Sequence, residues 1–182
     1  QIGSYGLYFG RVTEEKGVET VIKAYEKLPE YTVKIMGDDT TDEAKRLKKY
    51  VENHKMKNVE FLGFKSGAEL ENVIKGARFT LIPSIWYDNL PNTALESFQY
   101  SKPVIASNIG SLPELVIDGE NGYLFKPSNV EDLIKKIKML DDDTLVKKMG
   151  QASRKRLESR FAPQTHYEDL MKIFNEAVKS RK

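Results

Sequence analysis

The 182-residue chain carries 29 Lys and Arg against 27 Asp and Glu, a formal charge of +2, so no strong global field draws it to nucleic acid or an anionic membrane. It has no cysteine, which excludes a disulfide framework and any thiolate metal site and suits a reducing cytosol. No apolar run approaches the roughly 18 residues of a membrane span, and the first residues lack a signal pattern, so a soluble intracellular domain is expected.

Length alone suits one domain with one sizeable core. Tyr5 to Gly10 is a short strand-like run, and Gly17 opens a segment with Val18, Val21, Ile22, Tyr25 and Leu28 on helical spacing. Further short, largely unalternating apolar bursts follow at Tyr31 to Met36, Val59 to Leu62, Phe79 to Ile82, Pro103 to Ala106 and Tyr123 to Phe125. Helical patterns lie between them at Asp42 to Asn53, Gly67 to Lys75, Asn92 to Tyr100 and Val130 to Leu140. Short buried strands alternating with helices predict an α/β fold, a doubly wound parallel sheet of about six strands with helices on both faces. After Leu140 come two charged helical segments, Thr144 to Ser159 and Pro163 to Lys179, with no further strand. No linker or internal repeat divides the chain, so residues 1–182 read as one domain with a helical tail from about residue 141.

Ligands of open parallel sheets bind beyond the carboxyl ends of the strands. The loops Gly10 to Gly17, Phe64 to Gly67 and Ser84 to Asn92 are therefore expected to share one edge. The first of them, GRVTEEKG, carries Arg11 and Lys16. Arg can grip two phosphate oxygens and Lys supplies a mobile point charge, although two solvated cations are the competing reading. This loop holds neither G-x-G-x-x-G nor G-x-x-x-x-G-K-[ST], which argues against an NAD-dependent oxidoreductase and a phosphate-loop NTPase.

The third loop bears Asp88, then Asn89, Leu90 and Pro91, and enters a helix at Asn92 and Thr93 with Glu96 one turn on. A helix entrance gathers unpaired N–H groups suited to a diphosphate, with the Thr93 hydroxyl beside them, while Glu96 could accept bonds from two sugar hydroxyls. Taken singly, Asp88 as a turn residue and Glu96 as a solvated or Lys-paired acid are equally ordinary readings. Trp86, the only tryptophan, is expected to anchor packing. Gly110 and Ser111 mark a strand-exit loop before a short helix, Asn121-Gly122 a tight turn, and the Asp141 to Asp143 run a helix cap. His54 and His166 stand far apart, so no metal site is expected.

With these residues placed, the chain resembles the C-terminal, donor-binding domain of a retaining GT-B glycosyltransferase of family four, the glycosyl transferases group 1. The resemblance runs through YFGRVTEEKG, IMGDD, VEFLGF, IPSIWYDNLPNTALESFQYSKPVIASNIGSLPELV and DGENGYLFKP, in that order. It implies a catalytic set of Arg11 and Lys16 on the diphosphate and Asp88 toward the transferred sugar, where the family usually has glutamate. It implies donor-binding roles for Glu96 at the ribose, for Gly10, Asn89, Leu90, Asn92 and Thr93 along phosphate and sugar, and for Gly63, Phe64 and Lys65 beside the base. The family's Gly-Phe-Gly after the first acid reads Asn89-Leu90-Pro91 here.

The implied activity is transfer of a hexose from a nucleoside diphosphate sugar, UDP- or GDP-linked, to an acceptor hydroxyl with retention, in polysaccharide or glycolipid biosynthesis. No cofactor or metal is implied, because the two cations can carry the charge of the leaving diphosphate. The implied partner is an N-terminal acceptor-binding half that this chain lacks, with no nucleic acid involved. The full-length protein would be cytoplasmic, associated peripherally with the inner face of the membrane, and the isolated domain inactive in transfer. A noncatalytic nucleotide-sugar binding or interaction module of the same fold is the alternative.

Overall fold

The computed structural model describes residues 2–179. Its elements are β1 (Tyr5–Phe9), α1 (Val18–Glu26), β2 (Thr32–Met36), α2 (Asp42–Asn53), β3 (Val59–Gly63), α3 (Gly67–Gly76), β4 (Ala77–Ile82), α4 (Asn92–Gln99) and β5 (Val104–Ser107). They continue as α5 (Leu112–Leu115), β6 (Gly122–Phe125), α6 (Val130–Met139), α7 (Asp143–Arg160) and α8 (Pro163–Lys179). A single 3₁₀ turn at Glu14–Lys16 sits between β1 and α1.

The six strands are all parallel, in the order β3-β2-β1-β4-β5-β6, so the expected Rossmann-like doubly wound sheet is observed. Tyr8 of β1 lies between Ile35 of β2 and Leu81 of β4. Strand order reverses between β1 and β4, and a crevice opens there at the carboxyl edge.

Alternation along β1 shows why both faces need helices. Tyr8 joins a core cluster with Val21 and Ile22 of α1, Leu47 of α2 and Leu133 of α6. Its neighbours Leu7 and Phe9 point the other way, to Ile74 of α3. On that same face of the sheet, Ala94 and Phe98 of α4 pack with Ile82, Val104 and Ala106. Both faces of the central strands are therefore apolar, which is why the strand signals read as runs rather than alternations.

Two expectations need correction. The segment after Leu140 is not uniformly a tail: Val146 and Met149 of α7 are buried in the main cluster, and Leu157 packs beside α4. Only α8 is peripheral, with Tyr167, Ile173, Phe174 and Val178 exposed. The predicted turn at Asn121-Gly122 lies earlier, with Gly119 at a positive φ, and Gly122 already opens β6. Asn121 is buried instead, its side chain accepting from the Ile117 N–H at 2.7 Å and donating to the Leu115 carbonyl at 3.1 Å.

Candidate functional site

The crevice at the β1/β4 reversal holds a cavity of about 310 Å³ whose walls include Phe9, Met36 and Leu70, with Arg11, Lys65, Phe64, Thr93 and Glu96 around them. A smaller hollow of about 150 Å³ adjoins it, sharing Phe9, Gly10, Arg11 and Thr93 and adding Tyr8, Lys16, Asp88 and Asn92. A larger hollow, about 780 Å³, lies at the amino-terminal ends of the strands beside Lys75, Tyr100 and Lys102. The crevice is the stronger candidate despite its size, because connecting loops that can carry chemistry converge at carboxyl strand ends.

All three predicted loops reach the crevice. The first docks on the third through a specific backbone contact. Gly17 has φ +67°, and a Cβ there would stand 2.1 Å from the Pro83 carbonyl oxygen, so only glycine allows the approach. The Glu15 carbonyl then accepts from the Ile85 N–H at 2.9 Å and from the Ser84 hydroxyl at 3.2 Å. This docking delivers Lys16 to Asp88, and Lys16 Nζ donates to both carboxylate oxygens, at 2.7 and 2.8 Å. Both side chains are only 21% exposed.

The Asp88 loop is braced from its other side as well. Its carbonyl accepts from the Ser111 hydroxyl at 2.8 Å. Gly110, at φ +60°, comes so close that a Cβ would sit 3.2 Å from the Asp88 backbone. The close approach that Gly110 permits is thus to the Asp88 loop.

Arg11 is placed very differently from Lys16. Its side chain is 73% exposed, and its ion-pair partner, Glu15, is 3.9 Å away. Beneath it, the Tyr8 hydroxyl donates to the Arg11 carbonyl. Burial, reinforced by Asp88 and Glu15, pushes the Tyr8 phenol far above its ordinary value, so it remains a neutral donor that fixes the loop.

Thr93 and Glu96 lie in the first turns of α4, with Thr93 on the wall shared by both hollows. The Ser97 hydroxyl donates to the Thr93 carbonyl at 2.6 Å and accepts from the Thr80 hydroxyl at 2.8 Å, which ties this turn to β4. Among the described residues no side chain pairs with the Glu96 carboxylate, and burial pushes its carboxyl above the ordinary range. Pro91 is the N-cap of α4 and supplies no side-chain cap. The helices α1 and α3 also lack a side-chain cap, whereas Thr41, Asn129 and Asp142 cap α2, α6 and α7. The short helix α5 lacks one too; α1, α3 and α4 are the uncapped helices that follow the three predicted loops.

The crevice gathers Gly10, Arg11, Phe64, Lys65, Thr93 and Glu96 at one hollow and Lys16, Asp88 and Asn92 at the other. Asn89 and Leu90 stand exposed on the loop, and Gly63, Asn89 and Leu90 line neither hollow. Trp86 does not anchor packing as expected: it is 65% exposed, because the loop leaves β4 outward after the buried Pro83 and Ser84. Sequence reasoning missed Tyr8, Met36, Gly37, Asp38 and Leu70 as lining residues. The IMGDD segment was in view as a motif, and the β2 position beside β1 puts it on the crevice wall.

A parallel sheet with these loops at its reversal point is one Rossmann-like half of the GT-B glycosyltransferase architecture. The sequence model of the glycosyl transferases group 1 matches residues 4–156, and the chain belongs to that family. An uncharacterised glycosyltransferase of Methanocaldococcus jannaschii is 30% identical over 174 residues, covering 95% of this chain and 48% of that protein. The crystal structure of Anabaena HepE in complex with UDP matches with a TM-score of 0.86 at 23% identity, over 96% of this chain and 49% of that one. The C-terminal domain of a glycosyl transferase group 1 family protein from Francisella tularensis matches with a TM-score of 0.76 at 26% identity, over 89% of this chain and 88% of that one. The chain spans about half the length of the curated relative in Methanocaldococcus.

Proposed function

We propose that this chain is the donor-binding half of a retaining glycosyltransferase that moves a hexose from a nucleoside diphosphate sugar to an acceptor hydroxyl. The observation that carries the reading is the convergence of Arg11, Thr93 and Glu96 on one crevice at the strand-order reversal. The apolar walls from Phe9, Met36 and Leu70, with Phe64 and Lys65 at the mouth, suit a base. Glu96 takes the ribose hydroxyls, and Arg11, Lys16 and the N–H groups opening α4 take the diphosphate. Asp88, with Asn89, Leu90 and Asn92 around it, faces the transferred sugar.

As the sugar leaves, negative charge grows on the diphosphate, and Arg11 and Lys16 stabilise it where it develops. UDP is the first choice of nucleotide, since the Anabaena structures of this fold contain UDP and UDP-glucose. An N-terminal half would close the crevice and supply the acceptor, and the whole enzyme would work in the cytoplasm at the inner membrane face.

The test is a thermal-shift panel of this domain with UDP, GDP, ADP, CDP and NAD. Saturation near 100 times Kd stabilises a fold by about 2.7 kcal/mol, which raises Tm by roughly 5–10 °C at this size. A selective rise with one nucleoside diphosphate is expected. A flat panel, or a rise with NAD alone, contradicts the proposal.

A further inference from the structure

The two groups assigned to different parts of the donor, Lys16 to its diphosphate and Asp88 to its sugar, hold each other in this structure. Building on the donor-binding reading, we propose that the Lys16–Asp88 pair is a latch that the donor's diphosphate opens, so that phosphate binding is what frees Asp88 to position the sugar.

The geometry supports an exchange rather than a permanent bridge. A lysine ammonium has three donors, and two of these are spent on Asp88. A diphosphate carries more charge than one carboxylate and offers oxygens on the Arg11 side of the same hollow, where Lys16, Asp88 and Arg11 all line the wall. The partners can separate without moving backbone. The Lys16 turn is fixed by the Glu15 carbonyl, which accepts from Ile85 and Ser84, and the Asp88 loop by the Ser111 hydroxyl. Only the flexible lysine stem must swing, while the short aspartate stays aimed into the hollow. A longer acid at position 88 would reach further past Lys16; the aspartate keeps the pair tight and makes release depend on the ligand.

The latch predicts an unusual sign. Asp88→Asn removes a residue of the site yet tightens binding of UDP, because Lys16 no longer has to leave a partner. Calorimetric titration of the 182-residue chain with UDP should show Kd falling about fivefold, equivalent to roughly 1 kcal/mol. Loss of a nearby negative charge could tighten an anion without any latch, so the same substitution is made in a Lys16→Met background. There the latch is absent, and Asp88→Asn should change Kd by less than about twofold. Equal tightening in both backgrounds, or none in the first, overturns the latch while wild-type binding keeps the donor reading intact. Absence of binding to UDP, GDP, ADP and CDP by the wild type removes the donor reading and the latch together. Should Asp88→Asn fail to fold, the carboxyl ¹³C resonance of Asp88 in the wild type serves instead. A shift on saturation with UDP is expected, and an unmoved resonance in the saturated protein overturns the proposal.

Discussion

The two edges of the sheet are built from the same strands and much the same residue types, yet they treat polar groups in opposite ways. At the amino-terminal edge, helix C-termini arrive with spare carbonyls, and buried or partly buried donors meet them. Lys102 Nζ donates to the carbonyls of Lys75 and Ala77 at the end of α3, each at 2.7 Å. Arg78 reaches the Leu140 and Asp141 carbonyls beyond α6, each at 2.6 Å, and Asn58 reaches the carbonyls of Tyr25 in the last turn of α1 and of Leu28 and Tyr31 beyond it. At the carboxyl edge, helix N-termini arrive with spare N–H groups, and α1, α3 and α4 bring no side chain to cap them. The amino-terminal donors are matched to carbonyls, whereas at the carboxyl edge Thr41 and Asn129 cap α2 and α6 but no side chain caps α1, α3 or α4. Parallel βαβ winding imposes this asymmetry, since each strand feeds the start of a helix and each helix feeds the start of a strand.

The largest effect should come from removing a matched donor at the amino-terminal edge. Lys102→Met keeps the buried stem and abandons two carbonyls, so a loss of about 2–3 kcal/mol is expected. At this size that lowers Tm by roughly 4–12 °C, read by thermal unfolding, with UDP affinity unchanged. Equal stability would mean that water replaces the ammonium at those carbonyls.

Next comes Arg11, an exposed cation of the carboxyl edge. Arg11→Ala should weaken UDP binding at least tenfold, about 1.4 kcal/mol, and leave Tm of the free protein within about 1 °C. Undiminished affinity by calorimetry would remove Arg11 from the phosphate site.

A smaller effect, opposite for binding and stability, is expected of Glu96. Its carboxyl is raised by burial, so folding disfavours the ionised form. The sign follows: the fold is penalised at neutral pH, and the penalty disappears as pH falls below the range where the carboxyl ionises. Glu96→Gln should therefore raise Tm at pH 7, with the gain fading in acid, while UDP affinity drops about fivefold and pyrophosphate affinity changes little. Equal losses for UDP and pyrophosphate would refute the ribose assignment. Smallest of all, Trp86→Ala on the exposed loop should alter stability by no more than about 0.5 kcal/mol in urea unfolding.

Much of the architecture was legible because burial on both faces leaves a local signature. The α2 segment has the limits its spacing predicts, Asp42–Asn53, with Thr41 as cap. The β4 strand begins at Ala77, before the apolar burst at Phe79, because Arg78 spends its guanidinium on carbonyls and so disguises a strand position as a polar one. Arg11, Lys16, Thr93 and Glu96 could be chosen by chemistry and loop position. Met36 and Leu70 could not, since their apolar side chains read as core until the crevice forms beside them. Trp86 failed for the converse reason: an aromatic beside a strand carries no local mark of which way its loop leaves the sheet.

The sequence by itself determined the alternation of strands and helices and the sheet class, because the period of apolar residues reports which faces are buried within each element, and its ordered motifs carried the resemblance to the family. Only the tertiary structure decided that Lys16 grips Asp88 across 72 positions, that Glu96 meets no partner among the described residues, and that Lys102 and Arg78 donate to carbonyls at the opposite edge. Those outcomes depend on how separate loops meet in space. A side chain's partner is set by strand order and by close approaches such as Gly17 on Pro83, and neither is written in the neighbourhood of the residue itself.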